Sequence, residues 1–118
     1  MSEELRKIKW NFNKSEILNL DKNDEVKWNF LDTIVQCDMV LIRKISGKKN
    51  NLIMDERAVY VSFDTNCYDE DCLIIDNNFD GIYLKILLEK IDKIFVTFNP
   101  NNTKELWFVI DAHYIETR

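Results

Sequence analysis

The chain has 118 residues and a mass of 14.1 kDa, which is one domain's worth of polypeptide, and 46% apolar residues set it among folding rather than disordered sequences. Its 21 acids outweigh 16 bases for a formal net charge of -5, which disfavours direct binding to nucleic acid or anionic lipid. Two glycines and one proline leave no phosphate-cradling loop and no strained nucleophile turn, so Rossmann, Walker and kinase-type nucleotide sites are excluded by count.

In chain order, Ile8, Trp10 and Phe12 alternate with polar residues and predict a strand. The same pattern returns at Val26, Trp28 and Phe30, so IKWNF and VKWNF read as two strands separated by a turn at Asp21–Asp24. Leu31 to Asp38 is ambiguous between helix and strand. Met39–Ile45 predicts a strand, Ser46–Asn50 a turn, and Leu52–Met54 and Ala58–Phe63 two further strands. Leu73–Ile75 is a short apolar run. Ile82, Ile86 and the Tyr83, Leu87, Ile91 line have helical spacing and predict the principal helix over 81–93, with Asp80 as its N-cap. Ile94–Phe98 and Leu106–Ile115 predict a closing hairpin around the Asn99–Thr103 loop. Both faces of the last strand are rich in apolar side chains, so it is either central or has a face covered by a partner. The expected fold is a single compact α+β domain over 1–118, with a mainly antiparallel sheet of six to eight strands and one principal helix packed on it.

Charge is unevenly placed. Asp64, Asp69, Glu70, Asp71, Asp76 and Asp80 fall in the 17 residues from 64 to 80, which hold no Lys or Arg, leaving 15 acids against 16 bases elsewhere. With Tyr68, Leu73, Ile74, Ile75 and Phe79 nearby, this segment mixes charge with apolar anchors, a composition suited to docking on a basic protein surface. The residues expected to bind a partner are therefore Asp64, Tyr68, Asp69, Glu70, Asp71, Asp76, Phe79 and Asp80.

Other chemistries have weaker signals. Asp76-Asn77-Asn78-Phe79-Asp80-Gly81 is similar to the first half of an EF-hand loop, with Asp76, Asn78 and Asp80 as oxygen ligands, but its twelfth position is Leu87 instead of a bidentate Glu. A zinc set would have to combine Cys67 and Cys72 with Cys37 and His113, the only histidine. As nucleophiles, Cys67 and Cys72 stand among acids that suppress the thiolate, and Cys37 precedes Asp38. His113 lies on a strand beside Asp111. Arg43, Lys44, Lys48 and Lys49 cluster around a turn, where a solvated hairpin end is the ordinary meaning.

These features predict no cofactor, no catalytic residue and no membrane segment, and a cytoplasmic location, given a polar N-terminus and an odd number of cysteines. In size and charge, and in no particular motif, the chain resembles small acidic bacterial immunity proteins, antitoxins and phage-encoded inhibitors. The resemblance implies a non-enzymatic protein that occludes a basic partner, such as a toxin or nuclease surface. The alternatives are a calcium-binding domain using the 76–81 loop and a structural subunit of a larger assembly.

Overall fold

The structure, a computed structural model, describes residues 8–77 and 82–117. Among these, nine strands form two sheets, with two helices packed on their inner side. Sheet A has the order β1-β7-β8-β2-β3: β1 is Asn11–Phe12, β7 Ile91–Asn99, β8 Asn102–Ala112, β2 Met39–Ser46 and β3 Lys49–Glu56. Sheet B has the order β4-β5-β6-β9: β4 is Tyr60–Thr65, β5 Asp71–Asn77, β6 Ile82–Leu87 and β9 Glu116–Thr117. Every pairing is antiparallel except β2 with β8. The fold is α+β, as the sequence predicts, but the strands divide between two sheets and exceed the expected number.

The principal helix is not at 81–93. It is α2, Asp24–Gln36, which includes the segment whose alternation predicts a strand. Asn23 supplies the reason: its Oδ1 accepts the Val26 N–H at 3.2 Å, and Asp24 and Glu25 complement the N-terminal dipole. From that start Phe30, Thr33 and Ile34 fall on one buried stripe and Trp28 points to solvent. The matching IKWNF leads instead into β1, where Asn11–Phe12 pair with β7 and the Trp10 carbonyl accepts the Val96 N–H at 2.9 Å. A short helix α1, Lys14–Leu18, follows it, closed by a capping box between Asn13 and Glu16.

Residues 82–87 instead form β6. Leu84 and Ile86 are fully buried, with Tyr83 and Lys85 alternating on the other side. The helical spacing arose because apolar residues occur on both sides of β6 and continue into Leu88 and Ile91, which are also buried. One turn of 3₁₀ helix, Leu88–Lys90, then carries the chain from sheet B to sheet A. The proposed N-cap Asp80 lies outside the described residues.

The core fills the space between the inner faces. Phe30 stands at its centre, with ring centroids 5.3 Å from Phe108 of sheet A, 5.9 Å from Phe12 and 6.3 Å from Phe63 of sheet B. One helical side chain thus ties both sheets together. The parallel β2–β8 pairing is fixed at its start by Asp38. Its N–H donates to the Leu106 carbonyl at 2.8 Å, and its Oδ2 accepts the Leu106 N–H at 2.7 Å. Gly47, with φ of 63°, makes the tight β2–β3 turn, a backbone geometry that a side chain would strain.

Candidate functional site

The acidic segment does not form one patch; sheet B divides it. Asp69, Glu70 and Asp71 sit in and beside the β4–β5 turn. Asn66 builds that turn: its Oδ1 accepts the N–H of Tyr68 at 2.9 Å and of Glu70 at 3.0 Å, while its Nδ2 donates to Glu70 Oε1 at 2.9 Å. Asp69 takes a left-handed φ of 60°, which completes the reversal. The turn leaves Tyr68 78% exposed.

Two of the three turn acids are already engaged. The hydrogen bond from the Asn66 amide, with help from the Lys90 charge, holds Glu70 below the ordinary value of 4.5. Asp71 lies opposite Thr65, on the inward side of the sheet, and its Oδ2 is 3.4 Å from Lys22 Nζ. A depression of about 270 Å³ lies between this turn, Leu18, Lys22, Leu88 and Glu89.

Asp64 and Asp76 belong to a different surface. Strand alternation places Tyr60, Ser62 and Asp64 of β4 on the outward face of sheet B, registered against Asp76, Ile74 and Cys72 of β5. Tyr83 stands opposite Asp76 on β6, so this carboxylate sits between Tyr60 and Tyr83 in register. Tyr60 is 66% exposed. Asp64 accepts the Thr65 N–H at 2.8 Å. Among the described residues no Lys or Arg forms an ion pair with Asp64, Asp69 or Asp76. Sequence reasoning misses Tyr60 and Tyr83, although the alternation of Tyr60, Ser62 and Asp64 against Val61 and Phe63 carries the signal for the first.

Leu73, Ile74 and Ile75 are buried within sheet B and cannot anchor a partner. Phe79, Asp80 and the calcium-loop residues Asn78 and Gly81 lie outside the described residues.

The structure does not assemble the other candidate chemistries. Cys37 is buried, and loss of hydration followed by the neighbouring Asp38 charge pushes its thiol up to about 12. Burial, as the largest cause, also raises the Cys72 thiol, whereas Cys67 is exposed. The three cysteines are unpaired. Among the described residues no group of three or more His, Cys, Asp or Glu is placed to hold a metal. His113 Nδ1 lies 2.9 Å from Asp92 Oδ1, so Asp92 and not Asp111 is its partner. Asp111 is taken by Arg43, whose Nε and Nη2 donate to its two oxygens at 2.7 and 2.8 Å. Arg43 also lies over the Phe95 ring, 5.9 Å from the centroid, and so leaves the basic cluster that its sequence neighbours suggest. Among the described residues no helix is long and apolar enough to cross a membrane.

Comparison of the chain with protein-family models, with curated proteins and with solved structures gave no match.

Proposed function

We propose that the chain is a non-catalytic binding protein that covers a basic, nucleic-acid-binding surface of a partner protein, in the manner of an immunity protein, an antitoxin or a phage-encoded inhibitor. The observation that supports this reading is the pairing of exposed tyrosine with open carboxylate at two places on sheet B: Tyr60 and Asp64 on its outward face, and Tyr68 and Asp69 at the β4–β5 turn, with none of these carboxylates in an ion pair among the described residues. Tyrosines give large contact area at low entropic cost, and unpaired carboxylates steer a cationic partner into place. Asp76 and Tyr83 extend the same surface. Glu70 and Asp71 act behind it: they hold the turn that presents Tyr68. A cytoplasmic location belongs to the same proposal, since three free thiols suit a reducing compartment.

The test uses the full chain as bait in a lysate of the cells that encode it, beside an Asp64→Lys/Asp69→Lys variant. A protein retained by the native chain, released as salt rises and bound about tenfold more weakly by the variant supports the proposal. Equal retention by both baits contradicts it.

A further inference from the structure

The outward face of sheet A has a different chemistry. Alternation along β8 puts Glu105, Trp107, Val109 and Asp111 on this face, and the register adds Phe95 from β7 with Met39, Leu41 and Arg43 from β2. Val109 is 2% exposed yet stands outside the core packed between the sheets. Both helices pack on the inner side, through Ile17 of α1 and Phe30 of α2. On the outward side the Arg43 guanidinium reaches over the Phe95 ring, and neither helix packs there.

Trp, Phe, Met and Arg at the centre with Lys93, Asp55 and Glu105 at the margin is the composition of an interface core with a polar rim. Arg43 and Asp111 sit within this apolar ground, and Asp111 is only 5% exposed. Because their bidentate bonds are made within the chain, water can leave this face without orphaning either charge.

We propose that the outward face of sheet A is the contact surface for a second copy of this chain, packed sheet on sheet. Two features favour that occupant. The first is size. Four strands spaced by about 4.8 Å and eight residues at about 3.3 Å span roughly 19 by 26 Å, on the order of 500 Å² in projection. Two such faces bury on the order of 1,000 Å² in total, the lower end of specific interfaces, which suits a dimer that forms only at high concentration.

The second is charge. With Arg43 neutralised by Asp111, the exposed Lys93 leaves one end of the face cationic, and Glu105 lies at the other. A two-fold axis running across the strands brings the cationic end of each copy onto the Glu105 end of its mate. The free edge of β3 offers no competing route. Its register shifts between Arg43/Leu52 and Ile42/Met54, a bulge of the kind that blocks edge-to-edge pairing.

The proposal is independent of the basic-partner reading and concerns the opposite sheet. Its test is the solution mass of the full chain by light scattering across a hundredfold dilution series. A mass twice 14.1 kDa at the concentrated end, falling to 14.1 kDa for a Leu41→Lys/Phe95→Lys variant, is the expected result. Leu52→Glu, at a margin position 52% exposed and so neutral to folding, is expected to weaken the dimer about tenfold even if the double variant fails to fold. Tyr60→Ala/Tyr68→Ala is expected to leave the mass unchanged.

A native chain that stays at 14.1 kDa at roughly 100 μM overturns the proposal. So does a dimer indifferent to both sheet A variants. A monomer whose capture of another protein is lost on Leu41→Lys overturns it as well, and assigns the face to that protein.

Discussion

The two sheets turn very different faces to solvent. Sheet A presents Phe95, Trp107, Met39 and Leu41 around a sequestered Arg43–Asp111 pair, whereas sheet B presents Tyr60, Tyr83, Asp64 and Asp76 with Tyr68 at its tip. The net charge of -5 therefore does not describe the surface uniformly. On sheet A charge is neutralised inside an apolar field, and on sheet B it is left for water or a partner. A face of the first kind gains by being covered, through apolar area. A face of the second kind gains by steering what approaches it.

The largest expected effect breaks the comparison on sheet A. Asp111→Ala leaves the Arg43 guanidinium without its carboxylate in a poorly hydrated position and is expected to cost about 3 kcal/mol in urea unfolding. Replacing both members of the pair with apolar side chains is not expected to repeat that loss: the double substitution Arg43→Met/Asp111→Leu should fall within about 1 kcal/mol of the native chain. A double variant as unstable as Asp111→Ala would show that the pair is a structural requirement and not a neutralised charge.

On sheet B the expectation is the reverse. Tyr60→Ala and Tyr68→Ala remove exposed rings and are expected to change stability by no more than about 0.5 kcal/mol in the same assay, while weakening capture of a basic partner. A large loss of stability would move these tyrosines from recognition to packing.

The turn that holds Tyr68 has a pH signature. Glu70 binds its proton more weakly in the folded chain than in the unfolded one, so its contribution to stability is complete above the ordinary value of 4.5 and is lost as pH falls through the lower folded value. Asn66→Ala removes the largest cause and is expected to move the Glu70 carboxyl titration upward, as followed by carbon NMR. An unchanged titration would mean that Asn66 does not set it.

The smallest effect concerns the thiols. Cys67 is expected to alkylate at pH 8 while Cys37, pushed up to about 12, and Cys72 stay protected until the chain unfolds. Mass spectrometry of the labelled peptides reads this directly, and rapid labelling of Cys37 would reopen the nucleophile reading.

Period-two alternation was legible where one side of a strand is wet, as in Tyr60–Thr65, whereas Met39–Ser46 and the β7–β8 hairpin were legible as apolar, β-branched runs bounded by turns. Such patterns misled where a cap overrode them: Val26–Phe30 alternates like Ile8–Phe12, and only the Asn23 side chain and the continuation to Ile34 make it helical. They also misled where both sides of a strand carry apolar residues, as along 82–91, because a continuous apolar series satisfies the helical spacing too. The two-sided apolar character of β8 was readable and has its counterpart in the outward side of sheet A. The acidic segment was readable as composition but not as a surface. Cross-strand register, which only the fold supplies, sends Asp64 and Asp76 outward and Asp71 inward to Lys22.

If the two outward faces have different occupants, hydrogen exchange of the full chain alone, at high and at low concentration, tests that most directly. Protection is predicted to grow with concentration in β7, β8 and β2 and to stay constant in β4, β5 and β6. Protection that grows in β4–β6, or that changes nowhere, would contradict the assignment of the two faces.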